Sequence, residues 1–173
     1  MQKRIMESTQ NPNSLTMLCL GTGDDVFRAI MMVMSELEEY KNSPLSTAKT
    51  IHYCVKNEKY LAVLRGNELV GGVLWFDIDG PTRDKIIREK WEPLITTPIA
   101  DGEAIFLAAA FAVQPVIAVN MMRAFFKHMH HRDVVYIRHW QNKQRTFKPM
   151  LRKAKCQSHS TASTITAHGP ALL

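Results

Sequence analysis

Seven cations lie between Arg138 and Lys155, with Trp140 and Phe147 set among them. Basic side chains interleaved with aromatic rings are the composition that neutralises phosphates and stacks bases, which makes Arg138, Lys143, Arg145 and Lys148 candidate anion-binding residues. The stretch fits no named nucleic-acid module, so direct readout of base sequence is not expected. A second cluster is His128, His130 and His131, with His139 further on. His128 and His131 have the i, i+3 spacing that could offer a metal two ligands on one helical face. No carboxylate or cysteine supports them, and they read as the basic end of a helix, where positive charge suits the dipole. No metal is expected. Gly21-Thr22-Gly23 lacks the third glycine or the Lys-Ser/Thr of a phosphate loop and reads as a turn. The absence of Gly-x-Ser-x-Gly removes serine-hydrolase chemistry, and Cys19, Cys54 and Cys156 are too widely spaced for a zinc site and read as reduced thiols.

The net charge of +6 hides an asymmetry. Residues 1–103 carry 12 Lys/Arg against 15 Asp/Glu, a net of −3, whereas residues 104–173 carry 10 against one, Asp133, a net of +9. Such a division suggests that the C-terminal part faces something anionic: a nucleic acid, a phosphate-bearing cofactor or an acidic protein surface. With 46% apolar residues in 173, the chain can bury a core as one domain. The first thirteen residues hold no apolar core of a secretion signal and no uncharged apolar run reaches membrane-spanning length, so a cytoplasmic protein, or a virion component if phage-encoded, is expected.

The elements that must position these residues follow from periodicity. Leu15–Leu20 reads as a strand, then Asp24 or Asp25 caps a helix running to Tyr40 on the stripe Phe27, Ile30, Met31, Met34, Leu37. Asn42-Ser43-Pro44 breaks it, and a second helix capped by Ser46 or Thr47 runs to Asn57. Tyr60–Leu64 and Leu69–Ile78 form a hairpin, in which Gly71-Gly72 marks a bulge or a close approach to the backbone. After an excursion over 79–102 with a short helix at Arg83–Trp91, the uncharged run Ala104–Val113 reads as the central strand. A helix from Val116 to about Met129, a strand at Val134–Ile137, and a short or kinked helix within Gln141–Lys155 complete the order. The reading is an arm over 1–14, a domain over 15–155 and a Ser/Thr-rich flexible tail over 156–173.

This order resembles the GNAT (N-acetyltransferase-like) superfamily, an α/β (α+β) fold with a mixed, mostly antiparallel sheet flanked by helices. Tyr60–Trp75 looks like its second and third strands, Phe111-Ala-Val-Gln-Pro115 and Met121–Phe126 like its fourth strand and cofactor helix, and Val134–Ile137 with Trp140-Gln141-Asn142 like its fifth strand and the segment after it. The resemblance implies acyl-CoA as cofactor, its pantetheine beside a splayed fourth strand and its pyrophosphate on amides at the following helix start. It also implies cofactor contacts from Phe111, Val113, Val119, Asn120 and Asn142, a 3′-phosphate held by some of the C-terminal cations, and Glu103, or else Asp101, as general base.

The sequence departs from that pattern at two places. Where the family has Gln/Arg-x-x-Gly-x-Gly/Ala, this chain has Gln114-Pro-Val-Ile117-Ala-Val119, with β-branched side chains for glycines. Where many members have a tyrosine as general acid, Phe147 has no proton to give. Ser43-Pro44-Leu45 also resembles a motif of the toxin-activating lysine acyltransferases, but Ser46 stands in place of their catalytic histidine. GNAT-like proteins also occur as silent parts of tailed-phage particles. The expectation is a catalytically degenerate GNAT-like protein that binds or builds through its basic C-terminal face, the alternative being an acyl-CoA-dependent N-acyltransferase acting on an amine.

Overall fold

The computed structural model describes residues 14–41, 43, 45–90, 93, 102–141 and 144–155, with side chains at all of these except 138–141 and 144–147. The chain order is β1 (Leu15–Leu18), α1 (Asp24–Glu36), α2 (Leu45–Lys56), β2 (Tyr60–Arg65), β3 (Glu68–Ile78), α3 (Gly80–Glu89), β4 (Ala104–Ala112), α4 (Pro115–His128), β5 (Asp133–Gln141) and β6 (Gln144–Arg152). The strands form one sheet in the order β1-β2-β3-β4-β5-β6. Every pairing is antiparallel except β4 with β5. The expected arm before residue 14, the tail beyond 155, Asp101 and Asn142 lie outside the described residues.

Alternation along β3 assigns the two faces. Leu74, with Tyr60, Ala62, Ala109 and Phe111, packs under Ile30 and Met34 of α1 and Ile51, Cys54 and Val55 of α2. Phe76, Ile78 and Phe106 continue that face under Ile86 of α3. Val73 and Trp75 point the other way, onto Ile117, Met121, Phe125 and Met129, which recur every fourth residue as one stripe of α4. Three helices therefore cover one face and α4 alone covers the other.

Four local expectations are corrected. α1 stops at Glu36 rather than Tyr40, because Leu37 is extended at φ −87°, ψ 131° and the chain turns Tyr40 toward the sheet. Its N-cap is Gly23, and Asp24 and Asp25 lie in the first turn, favourable to the dipole. α3 starts earlier than expected because the Asp79 carboxylate accepts the Thr82 N–H at 2.8 Å and Pro81 suits the first turn. The segment expected as a short helix within Gln141–Lys155 is β6, antiparallel to a longer β5. Pro149, opposite Ile137, is tolerated because β6 is an edge strand.

The glycine pair behaves as expected. Register slips by one residue beside Gly71, leaving Val70 extra in β3, and a Cβ on Gly72 would meet the Phe111 ring at 2.8 Å. Gly102 is tighter still: a Cβ there would lie 2.3 Å from the Ile78 carbonyl oxygen. Gly102→Ala is therefore expected to cost about 3 kcal/mol or more by urea unfolding. Gly23→Ala, where no heavy atom lies within 4 Å of the new Cβ, should cost less than about 1 kcal/mol.

Candidate functional site

β4 is shared unequally between its neighbours. It pairs with β3 from Ala104 to Ala112, but with β5 only where Ala104–Leu107 face Asp133–Tyr136. Opposite Leu74 and Trp75 the β3–β4 register skips Ala108, so Ala108 is a bulge that bends β4 at the point where β5 leaves it. The two parallel strands thus form a V that opens beyond Leu107.

The closed end is pinned by charge. Asp77 is the buried carboxylate there, with Lys59 Nζ at 2.8 Å and a guanidinium nitrogen of Arg132 at 2.6 Å, the latter close but not aligned as a hydrogen bond. Arg132 also donates to the carbonyls of Gly102 and Ala104, and so joins the α4–β5 turn to the start of β4. Asp133 accepts from Arg83 at 3.0 Å and from the Ala154 N–H at 2.8 Å, which binds α3 and the end of β6 to β5.

At the open end, Val113 donates its N–H to the Val70 carbonyl. Backbone groups alternate sides along an antiparallel ladder, so Ala112 and Ala110 turn theirs toward the space β5 has vacated. The Ala110 carbonyl there accepts a 2.9 Å hydrogen bond from the Tyr40 hydroxyl. Burial pushes the Tyr40 phenol up to about 12, with Glu39 adding to the rise, so the hydroxyl stays a donor throughout the neutral range.

The start of α4 is a poor cradle for a pyrophosphate. Only Val113 and Gln114 separate β4 from α4, Pro115 has no N–H, and Ile117 and Ala118 donate back to the Gln114 carbonyl at 3.1 and 3.2 Å. This leaves the Val116 N–H as the remaining donor of the first turn. The Gln114 side chain is held by Arg65 at 3.2 Å instead of capping the helix. Val113, Val116 and Val119 are exposed around this turn.

The expected cofactor residues therefore divide. Val113, Val119 and Asn120 lie exposed at the open end, whereas Phe111 is core, 2% exposed over Gly72. Glu103 is exposed just before β4, at the closed end, about 16 Å along the strand from Ala108. It does not face the V. Phe147 belongs to β6, not to a helix.

A separate basic face lies at the other end of α4. Arg123, Lys127 and His130 form one wall of a depression of about 360 Å³, Arg152 and Lys155 the other, with Phe126 between them. The Lys155 N–H donates to the His130 carbonyl at 2.9 Å, which holds the two walls together. His130 donates through Nδ1 to the Lys127 carbonyl at 2.9 Å, as a helix-end residue would. The Arg152 guanidinium carbon sits 4.3 Å from the centre of the Phe126 ring. At 1.5 Å rise per residue, Arg123 and Lys127 lie about 12 and 18 Å from the start of α4, away from the V. Of the cations singled out in sequence, Lys148 is exposed on β6, and the register sets it opposite Arg138. Arg145 lies on β6 opposite Trp140, and Lys143 is outside the described residues.

One solved structure shares the architecture. The loading GNATL domain of CurA from Lyngbya majuscula matches with a TM-score of 0.57 at 11% identity, over 75% of this chain and 67% of that one. The fold is GNAT-like. An N-acetyltransferase from Staphylococcus aureus Mu50 matches at TM-score 0.38 and 10% identity, over 70% of this chain and 80% of that one. No family model matches this GNAT-like chain, and no curated protein is detectably similar to it. Among the described residues no helix is long and apolar enough to cross a membrane, and no three metal-ligating side chains gather.

Sequence reasoning missed Arg123, although its i, i+4 spacing to Lys127 on the face opposite Met121 and Phe125 was visible. It also missed Tyr40, whose partner is 70 residues away. Tyr40→Phe removes the donor to Ala110 and is expected to cost about 1–2 kcal/mol by urea unfolding. The unfolded phenol titrates near 10.0 and the folded one near 12, so stability should hold below the first value and fall as pH rises toward the second. A flatter alkaline slope in the Phe variant checks the assignment.

Proposed function

We propose that this GNAT-fold protein binds a polyanion through the α4/β6 face and has given up acyl transfer. One observation carries the reading: Arg123, Lys127, Arg152, Lys153 and Lys155 are all exposed, and none is ion-paired with a carboxylate among the described residues. Lys41, Lys59, Arg83 and Arg132 by contrast all have acidic partners. Like charges gathered without counter-charges repel one another, and an external anion relieves that cost. Such a face suits a structural part of a nucleoprotein assembly, a phage particle among them.

Acyl-CoA does not fit the chain as a whole. The outward backbone groups of Ala110 and Ala112 match what a pantetheine needs, but the first of these carbonyls is taken by Tyr40 and the first turn of α4 keeps the Val116 amide alone as a donor for a phosphate. The phosphate-binding cations stand at the far end of α4. The opening of the V at Ala108 is the observation that favours the second reading, an acyl-CoA-dependent N-acyltransferase acting on an amine.

Two titrations separate them. Calorimetry with acetyl-CoA and a long-chain acyl-CoA at physiological salt is expected to show no saturable binding, and saturable binding would establish the second reading. Long-chain polyphosphate should bind with salt-dependent affinity, and Arg123→Glu with Lys127→Glu should lower that affinity about tenfold or more. An unchanged affinity in this double variant contradicts the first reading.

A further inference from the structure

We propose that the anion on the α4/β6 face is the phosphodiester backbone of a single-stranded nucleic acid, with the Arg152–Phe126 stack as the platform for one base. The inference rests on the polyanion reading and narrows it to one chemical class.

Composition argues against an acidic protein as the occupant. Protein interfaces are depleted of lysine and anchored by exposed aromatic or methionine side chains. This face presents Arg, Lys and His. Among the described side chains near it, Leu151 is exposed at 36%, Met122, Phe126 and Tyr136 are half-buried, and Phe126 lies beneath Arg152. A lysine-rich surface whose aromatic ring is covered by a guanidinium is what a phosphate backbone selects, through release of its counterions.

Shape argues against a duplex. The exposed side of α4 does not project from the body, because Ile117, Met121, Phe125 and Met129 hold the opposite side against the sheet along the whole helix. Its cations are continued by those of β6, so the charge lies across two elements and not along a single helix of the kind that reads a major groove. The cations instead stand on two walls, Arg123 and Lys127 on one and Arg152 and Lys155 on the other, of a depression of about 360 Å³. A strand running between them has phosphates within reach of both walls, and the depression has room for an unpaired base.

Arg152 supplies the stacking surface. The guanidinium carbon of Arg152 lies over Phe126, 4.3 Å from its centre, and that ring is itself 5.9 Å from Tyr136 and 5.6 Å from Phe125, centre to centre, in an aromatic row. The residue is exposed, so the opposite plane is open. A guanidinium placed over a ring has fewer orientations to lose when a base stacks on it, and its plane offers a stacking surface that an ammonium cannot imitate. Stacking on Arg152 and charge contacts to phosphates are open to any base, because every base has a π-face. Binding should therefore be indifferent to base sequence.

The test is fluorescence anisotropy of the full chain with a labelled oligo-dT of about 16 nucleotides. Its comparators are a duplex of the same length, polyphosphate and polyglutamate, each at two salt concentrations. Oligo-dT should bind tightest. Arg152→Lys, which keeps the charge and loses the plane, should weaken oligo-dT about fivefold or more and leave polyphosphate unchanged, whereas Arg123→Gln should weaken both. The unfolding midpoint of each variant guards against misfolding. If Arg152→Lys does not fold, the ratio of oligo-dT to polyphosphate affinity in the unaltered chain decides. Equal affinity for oligo-dT and polyphosphate, or tighter binding of the duplex, overturns the inference and leaves the polyanion reading standing. Polyglutamate binding as tightly as oligo-dT points to an acidic protein and also overturns it. Failure of every polyanion to bind removes both.

Discussion

The buried carboxylate of Asp77 requires a cation, and Arg132 answers it from the turn between α4 and β5. Asp77 lies on the face of β3 that α4 covers, with its side chain 4% exposed, where an unpaired charge would cost several kcal/mol, ~3–5 by analogy with broken buried pairs. The same guanidinium holds the carbonyls of Gly102 and Ala104. One side chain therefore fixes where β5 meets β4, and the parallel pairing is confined to the four-residue stretch beside it. Gly102 permits this only because it has no Cβ to meet the Ile78 backbone. With β5 set at that end and β4 bent by its bulge at Ala108, the strands part at the other end.

The same anchoring separates two sites that an acyl-CoA enzyme of this fold would combine. α4 has one end at the mouth of the V and the other beside β6, whose terminus is tied back through Asp133 and the His130 carbonyl. At the mouth stand Val113, Val116 and Val119, a proline without a donor, and a carbonyl already bonded to Tyr40. At the far end stand the unpaired cations. Screening by salt over about 8–10 Å makes these two regions nearly independent electrostatically. The positive field of the C-terminal part is therefore not directed at the place where this fold would hold a pyrophosphate.

Much of the architecture could be read in the residues, because it rests on local periodicity. The uncharged run at Ala104 announced a central strand and the short turn at Arg65–Glu68 announced the hairpin, whereas helical spacing announced α4 on the wrong stripe: Val116, Val119, Met122, Phe126 and Met129 read as its core face, but Val116 and Val119 are exposed and the buried face is Ile117, Met121 and Phe125 with Met129. β6 was hidden because a basic, helix-prone stretch was recruited by pairing with β5, and propensity yields to such tertiary pairing. The early end of α1 was hidden for a similar reason, since the pull on Tyr40 comes from Ala110. At the candidate site, the loss of glycines after Gln114 was visible, and with it the weakness of the phosphate cradle. The position of Glu103 at the closed end of the V was not, because it depends on where β4 and β5 part. Nor was the union of Arg123 and Lys127 with Arg152 and Lys155, which the α4–β5 turn brings about.

Amide chemical-shift mapping on one labelled sample tests the separation of these two sites most directly, with coenzyme A and then a short oligonucleotide added in turn. The account predicts that the oligonucleotide moves amides of Arg123, Lys127, His130 and Arg152–Lys155 while those of Ala108–Ala112 and Val116 stay in place. Any response to coenzyme A should be weak, confined to the same basic face and abolished by physiological salt. Saturable shifts at Ala110, Ala112 and Val116 with coenzyme A would contradict it and return the V to service as an acyl-CoA site.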